Sequence, residues 1–409
     1  MNYLILGAGK TAIECLKALV KLKKKVSVCL NKDELYKIKD YYIIIDKVIL
    51  FDDFYTIDFS TFNYIVRSPG LSILNPYIKY LKDNNIKMIN EMELAYILSN
   101  KKGYYIGITG SNGKTTTVSL LYECIKKQTN NVLFAGNIGT PLISLLDKIN
   151  NYTIIILEMS NFQLEDMSDL KLDISCILNL SVNHLDAVID LEYYYRSKFN
   201  IINLQTEKDY LVTDSEDREI SKRINNVKPK IKDFSKTKLS SCSFNLKGEH
   251  NRKNIQAVVT ILNILGFDID YLTIKNFKPL DYHLQEYYFN DVLIVNDSKS
   301  TSVEALKSAI ETYNDKDIIL IFGGKNKGGD FSFLEDYNLK KKICFGKLSD
   351  EIENIYVDYK SYNLENGVKY ALNNSIKNDV ILFSCGCSSF DLFNNYKERG
   401  EYFDKLITG

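Results

Sequence analysis

The chain has no tryptophan, only three histidines and five prolines, and no excess of either charge. Lysine plus arginine and aspartate plus glutamate stand at 52 each, so no global field draws the protein to nucleic acid or to an anionic membrane surface. A polyanionic ligand would have to be held by a local arrangement. Long hydrophobic runs are missing too: residues 154–157 and 318–322 are strand-sized, far short of a membrane span. The eight cysteines are scattered without a C-x-x-C pair, and several fall inside apolar strands, where a thiol acts as a small hydrophobe. The opening residues, Met1-Asn2-Tyr3-Leu4-Ile5-Leu6-Gly7, carry no basic leader. What remains, 45% hydrophobic and 25% charged, suits a globular protein with sizeable cores. The expectation is a cytoplasmic monomer that binds no nucleic acid and inserts into no membrane.

A length of 409 residues exceeds one core and calls for two to four domains. Three blocks can be read, at 1–91, 92–279 and 280–409. The first opens with a strand at 3–6, the turn Gly7-Ala8-Gly9-Lys10-Thr11-Ala12, a helix to about 22 and a strand at 26–30, a Rossmann-like start. A dinucleotide fingerprint also wants an acid ending the second strand, where Leu30-Asn31-Lys32 stands, so NAD is not expected. In the second block, a strand at 104–109 leads through a glycine loop to a helix from Lys114, followed by strands at 152–157 and 174–178. A polar stretch, 214–238, reads as surface elements. The third block alternates strands (292–295, 318–322, 342–345, 380–383) with helical segments such as 302–313. This is an α/β pattern of parallel, doubly wound sheets, which bind ligands at the strands' carboxyl ends.

The strongest local signal is Thr109-Gly110-Ser111-Asn112-Gly113-Lys114-Thr115-Thr116 between strand and helix. Glycines let backbone N–H groups wrap a phosphate, and the helix N-terminus adds a favourable dipole. Lys114 can reach the β- and γ-phosphates, and the Thr115 hydroxyl can ligate Mg²⁺. Strict P-loop spacing would need glycine at 108, which is isoleucine, so the loop is a variant. Glu158 opens Glu158-Met159-Ser160-Asn161-Phe162-Gln163-Leu164-Glu165 at the end of a strand, where an acid suits a hard cation. Taken alone, it would be read as a solvated acid. The three histidines each lie in a motif-like cluster. His184 is read as functional, and His250, at a helix start, as a positioning or capping residue. His283 completes the set.

These elements stand in the order found in Mur ligases, together with Gly136-Asn137-Ile138-Gly139-Thr140-Pro141, Asn296-Asp297-Ser298-Lys299-Ser300-Thr301 and Gly323-Gly324-Lys325-Asn326-Lys327. The chain resembles that family over essentially its whole length. Residues 158–165, with Ser68-Pro69-Gly70, resemble the branch that adds D-glutamate to UDP-N-acetylmuramoyl-L-alanine. The resemblance implies a Rossmann-like UDP-binding domain, a central P-loop ATPase-type sheet and a Rossmann-like C-terminal domain. It also implies ATP and two Mg²⁺ ions. ATP would phosphorylate the L-alanyl carboxylate, and the D-glutamate amine would then displace the phosphate.

Carried across by the same resemblance, residues 110–116 hold the triphosphate, with Lys114, Glu158, His184 and Lys198 catalytic. Thr115, Glu158, His184 and a carbamylated Lys198 become the metal ligands. Asn251 and Asn254 face adenine, Asp297 the ribose, and His283 the nucleotide. Lys10, Thr11, Ser68 and Gly70 fall on the UDP-precursor side, and Asn137 and Gln163 on the muramoyl-alanine side. Lys299, Thr301, Lys327, Ser389 and Tyr396 surround D-glutamate. Tyr282-His283 replaces a His-Arg pair of the family, so this contact is expected to fade as pH rises through the imidazole range near about 6.5. Two alternatives stay open: a ligase of the folylpolyglutamate synthase type, and a weakened relative acting as an ATP-dependent regulator.

Overall fold

A computed structural model describes residues 1–137, 140–181, 190–241, 243–278 and 281–409. Among these, strands form three sheets. The first contains β1 (Asn2–Leu6), β2 (Lys25–Leu30), β3 (Lys47–Leu50) and β4 (Tyr64–Arg67), all parallel, in the order β3-β2-β1-β4. Gly7, at φ +91°, turns β1 into the helix Lys10–Lys21, which buries Ala12, Cys15, Leu16 and Leu19.

The second sheet is also wholly parallel. It contains β5 (Tyr104–Thr109), β6 (Val132–Gly136), β7 (Ile154–Glu158), β8 (Ile174–Ile177), β9 (Tyr210–Thr213) and β10 (Lys230–Asp233), in the order β10-β9-β8-β5-β7-β6. Its inner strands β5, β7 and β8 are nearly all buried, which explains why they read as continuous apolar runs. β10 lies in the polar stretch, and its Lys-Ile-Lys-Asp sequence fits a sheet edge.

The third sheet comprises β11 (Gln285–Phe289), β12 (Val292–Asp297), β13 (Ile318–Gly323), β14 (Lys341–Phe345), β15 (Tyr359–Ser361) and β16 (Val380–Gly386), ordered β11-β12-β16-β13-β14-β15. It departs from the parallel pattern at β11, which runs antiparallel to β12. The reason is the turn: Asn290 and Asp291 have φ +49° and +63°, the left-handed pair that closes a two-residue hairpin. Three strands end later than their apolar runs, because Glu158, Asp297 and Gly386 still pair with neighbouring strands.

The described residues group into two compact units. One comprises the described residues within 1–180, 190–239 and 255–270, and the other Ser181 with the described residues within 240–254 and 271–409. The first unit holds both the first and second sheets, and one apolar cluster runs from Tyr3, Cys15 and Leu19 through Met92 and Tyr96 to Leu157 and Leu211. Helix Glu91–Leu98 lies within this cluster and carries two buried carboxylates. Glu93 closes a capping box with Asn90 and accepts from Ser168 N at 2.6 Å, while Glu91 accepts from Ile143 N at 2.6 Å. No described helix is long and apolar enough to cross a membrane.

Burial pushes the Glu91 carboxyl up to about 7, against the hydrogen bonds from Ile143 and Leu142. The folded state therefore holds a proton that the unfolded chain releases near about 4.3. Between those values the folded state binds more protons, so this group's stabilising contribution is full at low pH and is lost as pH rises toward 7. Glu91→Gln keeps an acceptor without the charge. It is expected to gain on the parent by on the order of 1–3 kcal/mol between pH 5 and pH 8, read from urea midpoints. A difference that stays constant over that range would contradict this assignment.

Candidate active site

The glycine loop is built by its flanks. Gly113, at φ +83°, caps the helix Lys114–Lys126 from a conformation that side chains avoid, and the helix has no acid in its first turn. Asn179, just beyond β8, pins the loop: its Oδ1 accepts from Asn112 N at 2.9 Å and its Nδ2 donates to Asn112 O at 3.1 Å. Ser111 N donates to the Asn179 carbonyl at 3.0 Å. The helix therefore presents its positive end to whatever fills the loop.

Two lysines meet on this loop. Lys114 Nζ donates to the carbonyls of Gly110 at 2.7 Å and Ser111 at 2.8 Å. Lys198, only 1% exposed on helix Leu191–Phe199, donates to the same Gly110 carbonyl at 3.0 Å. Its ammonium lies 4.5 Å from the centre of the Tyr194 ring. Burial and then the nearby Lys114 charge hold the Lys198 pKa well below the usual ammonium range. Lys198 has no carboxylate partner among the described residues. Thr115 and Thr116 follow on the first helical turn, with Thr116 buried.

Glu158 ends β7 on the neighbouring strand and is 1% exposed. Its Oε1 accepts from Asn137 Nδ2 at 3.2 Å, while its Oε2 is buried without a partner. Gly136 stands beside it because a Cβ there would lie 2.2 Å from the Glu158 carbonyl oxygen. An orphaned carboxylate oxygen is costly unless a cation or donor arrives, and it fits a divalent-cation ligand. Among the described residues, no group of three or more His, Cys, Asp or Glu side chains converges on a metal position. His184 lies outside the described residues.

The structure gives Gln163 a local role as well. Its Oε1 accepts from both the backbone N and the Oγ of Ser160, forming a capping box at helix Asn161–Leu164. On the expected UDP-precursor side, the first turn and the Ser68 loop pack together: a Cβ on Gly7 would lie 3.2 Å from Ser68 Cβ. Lys10 and Thr11 open the helix above that turn, and nothing lies within 4 Å of a Cβ built on Gly70.

The second unit gathers the remaining residues. Thr301 and Lys327 share a cavity of about 520 Å³ with Lys307, Asn326 and Gly386. The 323–327 and 386–389 loops are joined by backbone bonds between Lys325 and Ser388, and Ser389 is buried beside them. Arg399, fully buried, clamps this region: Nε donates to Ser298 Oγ at 3.0 Å, Nη1 to the Cys387 carbonyl at 3.0 Å and Nη2 to the Ser298 carbonyl at 2.6 Å. Lys299 follows Ser298, and the Tyr396 carbonyl accepts from Ser298 Oγ at 2.8 Å. Asp297 is 3% exposed, with its oxygens accepting from Ser384 Oγ at 2.7 Å and Leu284 N at 3.2 Å. Burial lifts its carboxyl to about 7. Asn254 Nδ2 donates to Asn251 Oδ1 at 3.1 Å, one helical turn apart.

His283 departs from its expected behaviour. Burial, followed by Lys299 and His250, pushes its pKa down to about 3. It is therefore neutral across the range in which a free imidazole would titrate. Sequence reasoning also missed the residues that hold the site: Asn179, Tyr194, Glu91, Glu93, Arg67 and Arg399. Their signals were faint: Arg67 directly precedes Ser68-Pro69-Gly70, and Asn90-x-x-Glu93 reads as a capping box.

A strand–glycine loop–helix module beside a strand-end acid defines a nucleotide-dependent enzyme of the P-loop type, and residues 108–272 match the Mur ligase middle domain. The structure is similar to the MurF ligase from Thermotoga maritima in complex with ADP (TM-score 0.63, 17% identity, covering 94% of each chain). It is also similar to a pseudomurein peptide ligase type C from Methanothermus fervidus (TM-score 0.60, 19% identity, 99% of each chain). The sequence is 31% identical to the UDP-N-acetylmuramoylalanine–D-glutamate ligase of Clostridioides difficile, across 98% of this chain and 96% of that one. It is 34% identical to the ligase of the same name from Thermosipho melanesiensis, across 100% and 97%. The chain belongs to the UDP-N-acetylmuramoylalanine–D-glutamate ligases, a family of Mur ligases.

The histidines offer a direct check on the electrostatics. Burial pushes His250 down to about 4, alongside His283 at about 3. In NMR spectra of the imidazole Cε1–H groups, the resonances of both are expected to stay flat between pH 5.5 and 8. A midpoint near 6.5 assigned to His283 would restore the titratable contact and contradict the burial described.

Proposed function

We propose that this protein ligates D-glutamate to UDP-N-acetylmuramoyl-L-alanine with ATP, a step of peptidoglycan precursor synthesis. One observation carries the reading most directly: Lys114 and Lys198 both donate to the Gly110 carbonyl, in a glycine loop at the N-terminus of a helix. That positive helix end and the Lys114 ammonium suit a triphosphate. Lys114 then counters the charge that builds as the γ-phosphoryl group moves to the L-alanyl carboxylate. An oxygen of that carboxylate becomes part of the leaving group. The D-glutamate amine attacks the acyl carbon, loses a proton, and expels inorganic phosphate as the amide forms.

In this reading the chain works as three domains, at 1–91, 92–279 and 280–409, acting as a monomer in the cytoplasm. The first binds UDP beside Lys10, Thr11, Ser68 and Gly70. Asn137 and Gln163 meet the muramoyl-alanine portion. The third domain holds D-glutamate through Lys299, Thr301, Lys327, Ser389 and Tyr396. Asn251, Asn254, His283 and Asp297 serve the nucleoside, with His283 as a neutral hydrogen-bonding group. Mg²⁺ ions, when bound, supply charge neutralisation on the phosphates. Thr115, Glu158, His184 and Lys198 would hold them. Thr115 and Glu158 offer oxygens, and the orphaned Glu158 Oε2 fits this assignment.

Lys198 would join the set as a carbamate. An uncharged amine is what CO₂ adds to, and burial beside Lys114 favours that form. The addition forms an N–C bond, releases the amine proton and leaves a carboxylate-like oxygen pair for the cations. Lys198→Ala is expected to lose nearly all ligation and to regain part of it with added acetate or formate, whereas Lys198→Arg regains none. Full activity of Lys198→Ala would eliminate the carbamate.

The substrate assignment is tested by phosphate release. Release from ATP is expected to require both UDP-N-acetylmuramoyl-L-alanine and D-glutamate. Equal rates with L-glutamate, or with a folate replacing the UDP precursor, would overturn it.

A further inference from the structure

Arg67 is a buried cation at the seam between two substrate-facing segments of the first unit. It is the last residue of β4, paired with Leu6 beside the first glycine turn, and it immediately precedes Ser68-Pro69-Gly70. Its Nε donates to the Leu71 carbonyl at 2.7 Å, closing the loop that contains those three residues. The guanidinium then reaches across to Glu165 and Asp166, just after the helix Asn161–Leu164 that contains Gln163. The three side chains are 2%, 0% and 5% exposed, and Lys82 completes a neutral set at 3.2 Å from Asp166. One rigid fork thus bonds the 68–71 loop and the 160–166 segment at once.

Such a cluster is an odd way to add stability. Buried ion pairs roughly break even against neutral residues of similar volume, so the arrangement is better explained by what it fixes. We infer that Arg67 is a positioning residue that sets the spacing between the two halves of the precursor site, the loop expected on the UDP side and the segment expected on the muramoyl-alanine side. This rests on the function proposed above. A ligand that touches both halves needs that spacing, and a ligand that touches only the first does not.

The test uses the full chain with UDP alone, UDP-N-acetylmuramoyl-L-alanine, ATP and D-glutamate. Two variants are compared with the parent: Arg67→Lys, and the triple Arg67→Met/Glu165→Gln/Asp166→Asn, which removes all three buried charges and leaves only Lys82, 30% exposed, without its carboxylate. By calorimetry, UDP affinity should stay within about twofold in both, while the triple loses about 10- to 100-fold on the precursor. Arg67→Lys should lose less, and KM for ATP should be unchanged. Precursor affinity equal to the parent's in a cooperatively folded variant would overturn the inference. So would parallel loss of UDP and precursor, which signals general damage. Should the triple fail to fold, Arg67→Lys decides on the same two affinities. A parent that binds UDP but does not join D-glutamate to the precursor strikes the functional reading instead.

Discussion

The Gly110 carbonyl is the point on which the site turns. It accepts from two ammonium groups, one on the loop's own helix and one on helix Leu191–Phe199. Two cations this close, one of them fully buried, repel each other. The fold tolerates them by shifting the Lys198 equilibrium toward the neutral amine and by setting the Tyr194 ring beneath it. In the proposed reading the loop and its helix N-terminus hold a polyphosphate locally, and the net-neutral chain needs no wider field for it.

Buried polar ties hold this frame in register. Glu93 gathers the backbone amides that follow helix Asn161–Leu164, Glu91 holds Ile143, and Asn179 locks the glycine loop to the end of β8. In the second unit Arg399 performs a comparable task with backbone carbonyls, drawing the Ser298 and Cys387 segments together beneath Lys299 and Ser389. Each tie satisfies groups that would be expensive to leave unpaired, so each restricts the loops to one arrangement. Preorganisation of this kind lets fixed charges stabilise a moving phosphoryl group without reorganising as it moves.

Much of this was legible in the sequence because it depends on local rules. Apolar runs gave the inner strands β5, β8 and β13 nearly to the residue, and glycine spacing placed the loop between a strand and a helix. What stayed hidden depends on partners far along the chain. Glu158 reads as a solvated acid until β5 and β6 are seen to enclose it. Arg67 reads as an ordinary strand-end cation until residues about a hundred positions later close over it. His283 reads as a pH-sensitive contact, and only its desolvation, with the charges of Lys299 and His250 nearby, makes it neutral. The β11 hairpin is different: Asn290-Asp291 between apolar runs was a local signal that could have been read.

The central claim is that the loop at residues 110–116 activates a carboxylate by phosphoryl transfer. Isotope transfer tests it most directly. UDP-N-acetylmuramoyl-L-alanine labelled with ¹⁸O in both oxygens of the alanyl carboxylate is turned over with ATP and D-glutamate, and the released phosphate is analysed by mass. The mechanism predicts that each phosphate carries one ¹⁸O and that the amide retains the other. Unlabelled phosphate, with the label retained elsewhere, would contradict it.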